Sequence, residues 1–573
     1  MNRFVLSILV LIGGLCSCED FLDREPLDRI TDKGMKFSKN EMELYCNSFY
    51  TLFPGFETII WADNSSDNLM SGDYNYNSQL SGTIVVPASG GGWEWGNIRN
   101  INYFLNNYHV TTESWNVTSK YVGEMLFWRS WCYFNLLKQF GDLPWINKAL
   151  DVNSEELYEP RVSRSIIVDS IISDLTLAAE YLPTIDKTEP QRIHKDVALA
   201  FLSRVALYEG SWEKYHAGTD FGVKDCDYNY FFRKAKDAAE EIMKSGRYII
   251  SKGTGDDFAY WNLFRQLDLS GNKEVILWRK YDYSEQISHE GQNRLLFDGV
   301  NTGVTKSLVD DYLCIDGKPI TGNLNYKGDN SVMDVIQNRD PRLAQSIFVP
   351  GYPRLIRDGD TVKYSLPFIN LPGFQRNTTG YQQFKHANPV IESQGAGSGS
   401  PGATTAAILF RYGEVLLNYI EAVTELGECT QQDLDQTINV LRDKVAMPHL
   451  KIDVGFSDPD WDYPDLSPLI NEIRRERRVE LAFEGFRFDD LMRWAATSVI
   501  QKKQLGAKFS QFEGALFDPP LTGLFISSDG YLDPWQKTPA KDGWNFDPTK
   551  NYLKPIPTNE LVLNKNLKQN PGY

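Results

Sequence analysis

The chain has 573 residues, with 59 basic against 76 acidic side chains and a formal charge of −17. That balance, with a pI near 5.0, excludes a nucleic-acid binder that works by displacing counterions from phosphates. A hydrophobic content of 42% beside 24% charge is the profile of a folded protein, and the 13% aromatic share exceeds what a core of Leu and Ala needs, so some rings are expected on display.

In chain order, the first signal is an address. Arg3 gives a short positive start, and Phe4 to Ile12 is almost wholly apolar. That run suits the core of a signal peptide and is too short to cross a bilayer of about 30 Å as a helix. Leu15-Cys16-Ser17-Cys18 then resembles a bacterial lipobox, which makes Cys18 the expected lipid acceptor. Cys16 fits less well, because bulky Leu15 would stand beside the cleavage point. No later stretch approaches about 18 continuous apolar residues, so the expectation is a protein anchored to a membrane without crossing it. Five widely spaced cysteines remain, at 46, 132, 226, 314 and 429, which does not indicate a disulfide scaffold.

An acidic leader over 19–35 precedes helical periodicity near Glu41 to Leu52. Between Phe53 and Asn97 the pattern dissolves into Asn, Asp, Gly and Ser with scattered rings. Helical spacing returns with Tyr121, Met125, Trp128, Cys132, Leu136 and Phe140, and again with Ile167, Ile171, Leu175, Ala178 and Leu182. Val197, Phe201 and Val205 predict a helix closed by Gly210; Phe232, Ala235, Ala239 and Ile242 predict one closed by Gly246. Such consecutive helices suggest tetratricopeptide-like pairs, without the strict repeat consensus. Residues 250–405 are loop-rich with short β-like runs at Val275–Trp278 and Val362–Tyr364, and Ser393 to Gly402 is a flexible loop by composition. Helices resume at Tyr412–Val423, Leu434–Leu441 and Leu469–Trp494.

Catalytic patterns are scarce. The six histidines are scattered, and there is no H-E-x-x-H, no G-x-S-x-G elbow, no phosphate loop and no D-x-D-x-D-G calcium loop. The charge run Glu472 to Glu480 places Glu472 with Arg475, and Arg477 with Glu480, three residues apart, which predicts a salt-bridged helix face. No cofactor or metal is indicated.

Several motifs converge on a family. Cys18-Glu19-Asp20-Phe21-Leu22-Asp23 with Pro26, Phe127 to Leu136 with Phe140-Gly141-Asp142-Leu143-Pro144, and Ala198 to Trp212 occur in order. They are followed by Phe410 to Ala422, Glu476 to Trp494, and Leu553-Lys554-Pro555-Ile556-Pro557 with the ending Gln569 to Tyr573. Together they resemble the SusD/RagB family of surface lipoproteins; Gly413 departs from the Ala more usual there. The resemblance implies an all-α fold of tetratricopeptide-like pairs forming an α-superhelical scaffold, with a large loop-rich face and a few short strands. It divides the chain into a signal peptide at 1–17, an N-terminal helical region at 18–249 and a C-terminal region at 250–573, the last two forming one globular unit. It also implies an outer-membrane location and a SusC-like TonB-dependent transporter as partner.

The binding residues vary within such a family, so they are sought by chemistry. Sugars present apolar C–H faces and a rim of hydroxyls, which rings and Asp, Asn or Arg side chains can match from loops on a rigid scaffold. The segment from Asp63 and Asp67 to Trp93 fits best, with Tyr74, Tyr76 and Trp93 as ring candidates; Trp95 is expected in the core. Gly373-Phe374-Gln375-Arg376-Asn377 is a second candidate loop, with Arg376 as its donor, and Tyr281 and Tyr283 are weaker candidates. The leading expectation is a non-catalytic glycan-binding lipoprotein, with a peptide-binding import protein or a surface glycoside hydrolase as alternatives.

Overall fold

The computed structural model describes residues 35–390 and 402–573. The signal segment, Cys18 and all but the end of the Ser393–Gly402 loop lie outside the described residues. The chain enters through buried Met35 and Phe37 into α1 (Lys39–Phe49). Glu41 reaches back to accept the Ser38 N–H at 2.8 Å, closing off the first turn.

Besides a short helix at Phe56–Trp61, five longer ones build the N-terminal half: α2 (Gly96–Asn107), α3 (Trp115–Phe140), α4 (Arg164–Tyr181), α5 (Lys195–Tyr215) and α6 (Tyr228–Lys244). Their order matches the periodicity, since Tyr121, Met125, Trp128, Leu136 and Phe140 all point into the core. α3 packs on α4, α4 on α5 and α5 on α6. Gly210 does not end α5 as its residue type suggests. It lies inside the helix, where an added Cβ would stand 2.8 Å from the Phe232 ring of α6. Close packing, rather than chain reversal, explains the glycine.

Two small antiparallel pairs supply the strands. β1 (Val275–Arg279) pairs across the chain with β4 (Ala407–Arg411), while β2 (Pro353–Arg357) and β3 (Asp360–Lys363) form a local hairpin. β4 runs directly into α7 (Tyr412–Glu425), which packs on α5 and α6 and so ties the second half to the first. α8 (Gln431–Gln436), α9 (Ile438–Lys444), α10 (Pro468–Glu480), α11 (Arg487–Arg493) and α12 (Thr558–Leu563) complete the helices used below. The single helix expected over Leu469–Trp494 is broken into α10 and α11, because the backbone turns left-handed at Phe483 (φ 65°) and Gly485 (φ 83°).

The charge run on α10 is buried from Asn471 to Glu480. Glu472 does meet Arg475, at 3.5 Å, but Arg477 turns to Asp490 at 2.9 Å instead of to Glu480. Glu480 accepts from Arg342 and Arg411, each at 2.9 Å. The expected surface of i,i+3 pairs is therefore an interior network that ties α10 to distant segments. Arg474 sits among rings, its guanidinium 4.3 Å from the centroid of Tyr463, 4.4 Å from Trp494 and 4.6 Å from Tyr215. One hydrophobic cluster includes side chains from Met35 to Ile556. The cysteines at 46, 132, 226, 314 and 429 are free thiols. Among the described residues, no helix is long and apolar enough to cross a membrane.

Candidate functional site

The loop segment from Asp63 to Trp93 divides into an interior part and a displayed part. Asp63 is buried and accepts from Asn68 Nδ2 at 2.9 Å and from the Phe483 N–H at 2.7 Å. Burial raises its pKa, with those two donors opposing the rise. Asp67 is clamped by Arg487, at 2.7 Å from Nε and 2.9 Å from a terminal nitrogen, and by Arg478 at 2.9 Å. Burial alone would raise its pKa, but the two guanidinium groups hold it well below the ordinary carboxylate range. Neither aspartate is open to a ligand, so both expectations are corrected: these carboxylates fasten the loop to the α10–α11 turn.

Trp93 is corrected as well. It is 8% exposed and packs edge-on to Phe140 at 5.0 Å and to Trp95 at 5.3 Å. Trp95, expected in the core, is the more open of the two and precedes α2. Tyr281 is buried too, its hydroxyl accepting the Phe56 N–H at 2.8 Å. Tyr283 is exposed but lies in a different short turn.

The remaining candidates come together through the backbone. The Gly72 N–H donates to Asn301 O at 2.8 Å, and the Gly299 N–H donates to Gln375 O at 2.9 Å. Segment 299–301 thus holds the tyrosine loop on one hand and the Phe374–Arg376 loop on the other. A Cβ at Gly72 would collide with the Asn301 side chain, which accounts for the glycine. The tyrosine loop is stiffened by its own side chains: Asp73 accepts from the Asn75 N–H at 2.9 Å, and Asn77 from the Gln79 N–H at 3.0 Å. Below it, Trp544 Nε1 donates to Tyr74 O at 3.2 Å and Trp535 Nε1 to Ser71 O at 2.8 Å. Backbone geometry is thereby fixed while the rings stay available. Tyr76 is 53% exposed and Tyr74 half-buried.

On the second loop, Phe374 is 52% exposed and lies over the Arg294 guanidinium at 5.0 Å. Arg376 is half-buried; it donates from Nε to Leu371 O at 3.2 Å and from a terminal nitrogen to Thr522 O at 3.3 Å. That second bond brings the C-terminal loop, with exposed Phe525, to the same place. The result is a set of rings on three stitched loops beside two guanidinium groups, Arg376 on a loop and Arg294 on the short helix Gly291–Phe297, where Glu290 at 2.8 Å and Asp298 at 3.4 Å hold it; the rings can cover an apolar ligand face and the nitrogens not so engaged can bond a polar rim. Arg294 and Phe525 went unpredicted. Phe525 lies in a featureless C-terminal stretch, and Arg294 gives no signal before Phe374 is found stacked above it.

Two family models match the chain. One, described as the SusD family, matches residues 273–573, and one described as starch-binding associating with outer membrane matches residues 55–207. A curated relative from Formosa agariphila, SusD-like protein P2, is 25% identical over 499 residues, spanning 82% of this chain and 78% of its own length. A SusD-like protein from Bacteroides fragilis shares the fold with a TM-score of 0.71 at 23% identity, over 96% of this chain and 100% of that one. A second solved structure from the same organism, titled a SusD-like carbohydrate binding protein, has a TM-score of 0.70 at 23% identity, over 93% and 100%. With a model that takes in the whole C-terminal half and a fold shared along nearly the full length, the chain belongs to the SusD family.

Proposed function

We propose that the chain is a lipid-anchored binding protein that captures oligosaccharide or polysaccharide on its stitched loops and passes it to a SusC-like TonB-dependent transporter of the outer membrane. Family membership supports a binding role, and a structural neighbour described as carbohydrate binding supports the ligand class. The outer-membrane setting is supported by the description of the model that matches residues 55–207. The observation that carries the reading is the pairing of segment 299–301 with both the Tyr74–Tyr76 loop and the Phe374–Arg376 loop. Rings without nearby donors would suit any apolar surface; rings beside guanidinium groups suit a sugar.

Calorimetry with a panel of oligosaccharides tests this. One of them should bind, and Tyr76→Ala or Phe374→Ala should weaken it about tenfold or more, which is about 1.4 kcal/mol. Unchanged affinity in both variants would remove these loops from the site, and shortened oligosaccharides would contradict binding without catalysis. The anchor is tested separately: Cys18→Ala should abolish palmitate labelling and release the chain from the membrane fraction. For the transporter, cross-linking on intact outer membranes should join the chain to a β-barrel protein.

A further inference from the structure

Two carboxylates meet one guanidinium inside the first half of the chain. Glu209 and Glu213 stand one turn apart on α5, so both reach the same side, toward Arg164 at the start of α4. Arg164, Glu209 and Glu213 are 1%, 0% and 2% exposed. Arg164 gives Glu209 its best bonds, with Nε 3.1 Å from Oε1 and a terminal nitrogen 2.7 Å from Oε2. Glu213 comes second, its Oε1 3.6 Å from the same Nε. The Trp212 ring covers one side of the guanidinium at 3.9 Å. Glu213 Oε2 accepts the Val223 N–H at 2.7 Å, whereas Oε1 receives no hydrogen bond from any described residue.

We propose that the two glutamates hold one proton between them, on Glu213 Oε1 facing Glu209, and that this proton latches the 216–227 loop onto α5. The proposal does not rest on what the stitched loops bind. With both acids ionised, a second negative charge would lie out of water beside a guanidinium already committed to Glu209, which costs more than taking up a proton. No other cation is placed to balance it. Among the described residues, Glu209 and Glu213 form ion pairs with Arg164 alone. Arg493 of α11 reaches α5 at Ser211, but Glu421 and Asp490 hold it, and Asp489 is paired with Lys138. On the loop side, burial keeps His216 neutral and pushes the Cys226 thiol up to about 12, and Asp227 is paired with Arg233. Tyr208, buried on α5, keeps its hydroxyl proton. Burial accordingly raises the Glu213 carboxyl to about 8, with Glu209 adding to the rise and Arg164 opposing it. The middle of the loop is fastened to α5 by the Val223 bond to Glu213 and by Trp212 Nε1, which donates to Phe221 O at 3.0 Å. An ionised Glu213 is driven from Glu209 and reaches water by lifting that loop, whose residues 217–220 are already exposed.

The test compares the chain with its Glu213→Gln and Glu209→Gln variants, each of which leaves one carboxylate for one guanidinium. The folded Glu213 carboxyl binds its proton more tightly than the unfolded one, whose pKa is about 4.3. The stabilisation is therefore full below about pH 4.3 and is lost as pH rises, levelling off above about 8. In urea unfolding, the wild-type folding constant should fall against either variant by up to about tenfold per pH unit within that window. At about pH 5, Glu213→Gln, the neutral isostere of the protonated acid, should match the wild type within about tenfold. Hydrogen exchange, corrected for its intrinsic rate, should show 217–226 losing protection about tenfold or more between about pH 6 and pH 9 in the wild type while α3 keeps its own, and neither variant losing it. A wild-type stability profile parallel to both variants overturns the proposal. So does a Glu213→Gln chain already unprotected over 217–226 at about pH 5, because the loop would then need the charge and not the proton. Should a variant fail to fold, the wild-type exchange profile decides: protection of 217–226 unchanged through about pH 9 overturns the latch, and its selective loss supports it.

Discussion

One carboxylate, Asp67, answers two guanidinium groups; without it Arg478 keeps Asp311 at 2.5 Å and Arg487 keeps Asp462 at 3.4 Å. Asp67→Asn is therefore expected to cost about 3 kcal/mol at pH 7, the low end of the range for breaking a buried pair from one side. Its folded pKa lies below the ordinary value of about 3.9, so the stabilisation is complete above that pH and is lost as pH falls further. Urea midpoints of the two proteins should therefore converge below about pH 3.9, by about 1.4 kcal/mol per pH unit. A constant gap would show that the charge is not what Asp67 contributes. Trp93→Ala should likewise cost about 3–5 kcal/mol through the cavity it leaves against Phe140, whereas Tyr76→Ala should leave the melting temperature in place. The sequence could not separate these residues. All stand in one stretch rich in Asn, Asp and Ser; contact with Arg478, Arg487 and Phe483, more than 400 positions away, takes Asp63 and Asp67 inside, and contact with Phe140 takes Trp93.

Helices were legible where large apolar residues recur at spacings of three and four. α3, α4 and α6 start and end close to where their periodicity places them. Glycine was the misleading sign. Gly246 does adopt a left-handed φ of 63° just past α6, whereas Gly210 has no such conformation and serves the α5–α6 contact. Gly210→Ala sets two effects against each other: about 1 kcal/mol gained in helix propensity and about 1–3 kcal/mol lost by forcing the Phe232 ring aside. We expect net destabilisation of up to about 2 kcal/mol, measured by thermal melting. Phe232→Leu in the same background should recover part of it, because the shorter side chain makes room. The division between α10 and α11 was illegible for a different reason. Gly485 is the one compositional mark of the break, and the other half of it follows from Phe483 turning left-handed with its N–H to Asp63.

At the scale of the molecule, motif order gave the family and the helical class, because those depend on residues that recur along the whole chain. The sites were only partly legible. Tyr74, Tyr76 and Arg376 lie on loops joined through 299–301, a segment that carries no motif and whose role is to accept and donate backbone bonds. Val152, Leu157 and Leu563, by contrast, lie in three separate stretches and come together only where α12 docks beside residues 157–159.

The interior network of α10 bears on how such a chain can be made. Arg478 and Arg487 find Asp67 near the start of the chain, Arg342 finds Glu476 and Glu480, and Arg477 finds Asp490. The contacts to Asp67 and Arg342, unlike Arg477 to Asp490, form late and slowly, because closure of a long loop must precede them. Until the Asp63–Asp67 segment has docked, Arg478 and Arg487 lack the aspartate that joins them, although Arg475 and Arg477 already have Glu472 and Asp490 close in sequence. A fragment starting at residue 250 would lack Asp67, and we expect it to remain unfolded by circular dichroism until residues 35–249 are added in trans. Charge thus couples the two ends of the chain: the arginines of α10 and α11 are complete only with an aspartate from near its start.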